Sequence, residues 1–213
     1  MEAKEKRGFI VVLSGFSGAG KGTIMKRIMK THGTEYALSI SATTRKKREG
    51  EKEGREYFFK TREEFDKMIE NDEFLEYATF NGNSYGTMNS FVDDMVNSGK
   101  DIILEIEVQG ALQVKEKYPD ALLLFVMTPD ADELKHRLIS RGTEDDEAIS
   151  SRLIISIEEA SLIEQYDYVI INDHVDSACN QVHSIIQAEH CKTVNNTDLI
   201  ETMKNDLLKF KED

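Results

Sequence analysis

The run Gly15-Phe16-Ser17-Gly18-Ala19-Gly20-Lys21-Gly22-Thr23 stands between the apolar segment Phe9-Ile10-Val11-Val12-Leu13 and a segment of helical periodicity. A buried strand, a glycine loop and a helix in that order are what a phosphate-binding loop requires. The glycines let successive backbone N–H groups turn inward, the helix directs its positive end at the same anion, and the Lys21 ammonium reaches the outer phosphates. Gly15, Ser17, Gly18, Ala19, Gly20, Lys21, Gly22 and Thr23 are therefore candidate nucleotide contacts. A hydroxyl usually follows the lysine to meet a metal. Here Gly22 takes that place, so whether Thr23 meets metal or phosphate stays open.

The rest of the chain repeats the same rhythm. Apolar runs at 9–13, 102–106, 122–127 and 168–171 alternate with helical patterns at 21–31, 61–70, 89–97, 108–117, 130–140, 146–164 and 175–190. That alternation predicts an α/β fold, a parallel sheet with helices on both faces. Thr61 and Glu64 form a capping-box pair, and Pro129 with Asp130 opens the helix at 130–140. Between about 38 and 88 the rhythm breaks into short strand candidates at 37–41, 57–59 and 74–80 around one helix. This reads as an inserted small α+β subdomain. After Cys191 the chain is polar except for Leu199, Ile200, Met203, Leu207 and Phe210, whose spacing predicts an amphipathic helix docked on the body.

At 213 residues the chain fits one domain with insertions. Forty acidic against 27 basic residues give a formal charge of −13, which disfavours coating nucleic acid or an anionic membrane. No apolar run approaches the ~20 residues of a membrane span, and no apolar signal region follows the charged start. Cys179 and Cys191 form neither a disulfide framework nor a zinc motif. A reducing, cytoplasmic setting is expected.

In so acidic a chain, clustered cations stand out. Ser39 to Arg48 carries four cations and four hydroxyls in ten residues, with Tyr57 nearby. Arginine forks and hydroxyls suit a second anion site, but Glu49, Glu51 and Glu53 suit a solvated basic loop equally well. Arg137 and Arg141 share a helix face, and Arg152 joins them if the acidic loop between folds over. Such an arm can act as a lid that brings cations and excludes water, or it can be a self-paired helical hairpin. Glu105 and Glu107 end a buried strand on one side, where such folds place an acid near Mg2+ and phosphate.

Taken together, the phosphate loop, Ser39-x-Ser41-x-Thr43-Thr44-Arg45-x-x-Arg48, Glu76, Gly82-Asn83-Ser84-Tyr85-Gly86, Glu105 to Gly110, Arg137 to Gly142 and Asn172-Asp173 follow the order and spacing of the guanylate kinase family, which residues 8–190 resemble. The resemblance implies a P-loop kinase fold: a core at 8–37, 88–137 and 156–191, a GMP-binding subdomain at about 38–87 and a lid at about 138–155, with 192–213 left over. It implies that Arg45, Arg48, Tyr57 and Tyr85 hold the phosphate of GMP, while Ser41, Glu76, Thr87 and Glu107 face guanine. Lys21, Arg48, Arg141 and Arg152 would be catalytic, Arg137 and Asn172 would join the ATP site, and Thr23 and Glu105 would hold Mg2+, directly or through water. The implied reaction is phosphoryl transfer from ATP to GMP or dGMP, with no nucleic acid or membrane partner. Glu107 replaces the frequent aspartate, and Phe16 and Gly22 are further departures. A kinase for another nucleoside monophosphate and a silent protein-binding module on the same fold are the alternatives. Oligomeric state is not written in the sequence.

Overall fold

A computed structural model describes residues 7–80, 82–140 and 146–211. In chain order, β1 (Ile10–Gly15) passes through the glycine loop into α1 (Lys21–His32), followed by β2 (Tyr36–Leu38), β3 (Ala42–Thr43), β4 (Phe58–Phe59), α2 (Arg62–Glu70), β5 (Phe74–Phe80) and β6 (Asn83–Met88). Next come α3 (Asn89–Asn97), β7 (Asp101–Glu105), α4 (Val108–Lys117), β8 (Leu122–Met127), α5 (Ala131–Ser140), α6 (Asp146–Ala160), β9 (Tyr168–Ile171), α7 (Val175–His190) and α8 (Thr197–Leu208).

The main sheet has five parallel strands in the order β2-β7-β1-β8-β9. Strand alternation divides its apolar residues between two layers. Val11 and Leu13 pack with Ile24, Met25 and Ile28 of α1 and with Ala178, Val182 and Ile186 of α7. Ile10 and Val12 face the other way, against Val92 and Val96 of α3 and Ala111 and Val114 of α4. Every residue of β1 is buried, which is why its sequence is a continuous apolar run rather than an alternating one. The parallel strands end on the same edge, so the loops after β1 and β7 emerge side by side.

The insert is a second sheet, ordered β4-β3-β6-β5. Phe65 of α2 and Phe74 of β5 stack with ring centroids 4.4 Å apart and form its small core with Ala42. The expected capping box is present: Glu64 N–H donates to Thr61 Oγ1 at 3.1 Å, and Thr61 N–H donates to Glu64 Oε2 at 2.7 Å. Asp130 likewise accepts from the Glu133 N–H at 2.7 Å as α5 begins.

Two sequence expectations change. The strand expected at 37–41 is β2, and it joins the main sheet by pairing with β7 instead of belonging to the insert. Tyr36, outside the expected run, is its fully buried anchor. The tail forms the expected helix, but α8 buries none of its residues, and Leu199, Met203, Leu207 and Phe210 are 56 to 78 % exposed. Its start is pinned to the end of α7, where Asn195 and Asn196 donate to the Glu189 and His190 carbonyls. Among the described residues, no helix is long and apolar enough to cross a membrane.

Because the insert's core is so small, Phe65→Ala is expected to cost about 3 to 5 kcal/mol there. Hydrogen exchange should accelerate in β3 to β6 and leave β1, β7 and β8 protected. Uniform acceleration through both sheets would show that the insert is not a separate cooperative unit.

Candidate active site

The loop after β1 is shaped by close backbone approaches. Gly15 has φ +139° and a Cβ there would lie 2.0 Å from the Val126 carbonyl oxygen, so only glycine lets the chain leave β1 this close to β8. Gly20 has φ +95°, and its Cβ would meet Asn172 Nδ2 at 2.4 Å. Lys21, first residue of α1, folds back over the loop and donates to the Gly15 carbonyl at 2.6 Å and that of Phe16 at 3.3 Å. Its ammonium thus sits over the concave backbone, at the positive end of α1.

Residues distant in sequence converge on this loop. Asn172, just past β9, donates to the Ala19 carbonyl at 2.7 Å, and Arg137 of α5 reaches the same carbonyl at 3.5 Å. Glu133, one turn earlier, orients the Arg137 guanidinium at 2.6 Å. Asn172 is buried and its Oδ1 has no hydrogen-bond partner among the described residues, which leaves an acceptor beside the loop. From α6, Arg152 donates to Ser17 Oγ, which brings its guanidinium to the glycine loop. Arg141 lies outside the described residues.

Glu105 ends β7 and faces the start of α1. A Cβ on Gly22 would be 3.4 Å from Glu105 Oε1, so the glycine in place of a hydroxyl residue gives this carboxylate room beside the helix. Desolvation raises the Glu105 carboxyl above the ordinary range, and the Lys21 charge opposes that rise. A carboxylate beside the loop has the hard oxygen chemistry Mg2+ selects, so the residues fit that ion. Thr23 lies in the first turn of α1 with its N–H donating to the Gly20 carbonyl at 3.0 Å.

The insert brings a second set of groups. Arg45 is held by a two-pronged contact to Glu51 at 2.7 and 3.1 Å, and its guanidinium lies 5.2 Å from the centre of the Tyr57 ring. The Tyr57 and Tyr85 rings stand 5.9 Å apart. Glu51 also accepts from the Arg48 N–H at 2.8 Å, while Arg48 itself is exposed. The basic run is thus a folded loop organised by one of its own carboxylates, combining features of both readings of its sequence. Ser41 is partly buried at the start of β3, its carbonyl accepting from Phe58 N–H at 2.9 Å.

Glu76 is the buried acid of the insert, only 5 % exposed. Thr87 supplies both its Oγ1 hydroxyl and its N–H to Glu76 Oε1, at 2.7 and 3.1 Å. Burial nevertheless raises the carboxyl above its ordinary range, against those two bonds. The other oxygen, Oε2, lies where a Cβ on Gly110 of α4 would come within 2.5 Å. The absence of a side chain at Gly110 is therefore what makes room for this carboxylate.

Glu107 immediately precedes α4 and shares this edge. Glu159 of α6 is buried nearby, and desolvation, with the Glu107 charge adding to it, pushes its carboxyl up to about 7. Sequence reasoning missed Glu51 and Glu159 as parts of the site, and named Gly110 only as the end of the run from Glu105. Glu51 is legible only as charge balance, Glu159 carries no local signal, and the contact of Gly110 with Glu76 joins different elements.

These features can be set beside known proteins. A family model described as guanylate kinase matches residues 7–189. Guanylate kinases of Bacillus cereus and Bacillus anthracis are each 48 % identical over 189 residues, covering 89 % of this chain and 92 % of theirs. The crystal structure of guanylate kinase from Anaplasma phagocytophilum superimposes with a TM-score of 0.71 at 33 % identity, over 88 % of this chain and 89 % of that one. The matched span carries both the phosphate loop and the insert with its buried acid, and the chain belongs to the guanylate kinase family.

Proposed function

We propose that this protein transfers the γ-phosphoryl group of ATP to the phosphate of GMP, and of dGMP, giving ADP and GDP or dGDP. The observation that carries the acceptor's identity is Glu76, a buried carboxylate in the insert. Guanine offers a ring N–H and an exocyclic amine to such a group, whereas adenine lacks that donor pair and leaves the acid unpaired. Those two donors favour the ionised form that burial opposes. Thr87 fixes the carboxylate, and Ser41 and Glu107 complete the proposed base site.

Residues 38–87 are assigned as the GMP-binding subdomain and 138–155 as the lid. Arg45, Arg48, Tyr57 and Tyr85 take the acceptor phosphate, with Glu51 releasing or sharing Arg45 when the anion arrives. The phosphate loop, Arg137 and Asn172 hold ATP, the Asn172 acceptor being suited to the adenine amine. Glu105 and Thr23 are the residues proposed to hold Mg2+, which when bound neutralises β- and γ-phosphate oxygens.

In the reaction an acceptor phosphate oxygen forms a bond to the γ-phosphorus. The bond from that phosphorus to the β,γ-bridging oxygen breaks, and ADP leaves with the electron pair. The acceptor is already anionic at neutral pH, so no protein base is required. The chain has to align two polyanions and screen their repulsion. Lys21, Arg48, Arg141 and Arg152 are assigned that work.

Replacing Glu76 by Gln exchanges an acceptor pair for an amide with one donor end, and kcat/KM for GMP is expected to fall about 100-fold, mainly through KM. An unchanged KM for GMP would remove Glu76 from the base site. Arg152→Ala is expected to lower kcat by about 100-fold with a smaller effect on ATP binding. A loss confined to KM for ATP would make Arg152 a binding residue and not a group that stabilises the transferring phosphoryl.

A further inference from the structure

At the far end of α1 from the phosphate loop, three metal-ligating side chains meet that the proposed reaction does not use. His32 is the last residue of α1, Glu35 lies in the turn before β2, and His183 projects from α7. The turn is fixed by the Glu35 N–H donating to the His32 carbonyl at 2.9 Å, which carries the carboxylate back to 3.1 Å from His32 Nδ1. The His32 and His183 rings stack with centroids 3.9 Å apart and planes 16° from parallel. One donor atom from each of the three residues falls within 4.8 Å of the other two.

We propose that His32, Glu35 and His183 bind one divalent transition-metal ion, for which Zn2+ is the best chemical match. Two imidazoles and one carboxylate, with a water in the fourth place, form an established zinc ligand set. Mg2+ prefers oxygen ligands throughout, so the site is chemically distinct from the one assigned to MgATP. The outer partner that metal-binding histidines need is in place. Tyr36 Oη engages His183 Nδ1 at 2.5 Å, which fixes that ring and leaves Nε2 as its other nitrogen. Tyr36 is itself fully buried, which holds the phenol in place against His183.

Tetrahedral bonds of about 2.0 to 2.1 Å set donor atoms about 3.4 Å apart. The His32 and Glu35 atoms already meet that spacing. The other separations lie within 4.8 Å, and because the stacked rings are nearly parallel, a shared ion requires His32, whose side chain is 22 % exposed, to turn out of the stack. A bound ion would tie the end of α1 and the turn before β2 to α7.

The test uses the full chain without a histidine tag, titrated calorimetrically with ZnCl2 in excess Mg2+ so that oxygen sites stay occupied. One Zn2+ per chain is expected, with a rise in Tm, and Co2+ in its place should give a tetrahedral visible spectrum. His32→Gln and Glu35→Gln should each weaken Zn2+ by at least about 10-fold and abolish that spectrum, with MgATP-dependent turnover unchanged in zinc-free buffer. Glu35→Gln decides the matter if the histidine variant folds poorly, because its side chain is exposed. Absence of Zn2+ binding, or equal affinity in wild type and both variants, overturns the proposal. Neither result depends on whether GMP is the acceptor.

Discussion

Close backbone packing around two glycines sets the geometry on which the site depends. Gly15 brings the exit of β1 against the Val126 carbonyl, and Gly20 brings the loop against Asn172. Between them the chain must curl, and in curling it presents its N–H groups and the start of α1 to one point in space. Lys21, Arg137, Asn172 and Arg152 all bind this loop from separate elements, so its shape determines where their charges and amides stand. A side chain at either glycine would displace the loop from β8 or β9 and scatter that arrangement.

Around this anchor the molecule handles an electrostatic conflict. The chain carries a formal charge of −13 and is assigned two anionic substrates. Cations gather in the loop after β3 and on α5 and α6, while Glu76 and Glu159 are buried acids and Glu105 stands at the exposed end of β7. Burial raises the carboxyls of Glu76 and Glu159 above the ordinary range. In the proposed function Glu76 gains hydrogen-bond donors from guanine and Glu105 gains a cation in Mg2+. On the proposed assignment, specificity for the base and tolerance of the phosphates have separate physical origins, one in a buried acid and the other in clustered arginines.

Much of this is legible in the sequence because it is encoded locally. The glycine loop, the capping box at Thr61 and Glu64, and the continuous apolar strands each draw their signal from adjacent residues. What escapes a reading of the sequence is encoded by contacts across the fold. β3 is two residues long and β6 reads as polar, so neither has a pattern of its own; both exist because they pair with each other. β2 resembles part of the insert in sequence, yet its partner is β7. Gly110 makes space for Glu76, a residue 34 positions earlier, and no local pattern records that relation. The apolar stripe on α8 signals a helix, but periodicity says nothing of what covers it.

The central claim is that a single cleft joins MgATP to a guanine nucleotide, and product analysis tests it most directly. The protein is incubated with MgATP and, separately, GMP, dGMP, AMP, CMP and UMP, beside a Lys21→Ala control that excludes a contaminating kinase. GDP from GMP and dGDP from dGMP, with nothing from the other three and both lost in the control, is the predicted result. Phosphorylation of AMP, CMP or UMP at a comparable rate, or no product from any acceptor despite ATP binding, would contradict it.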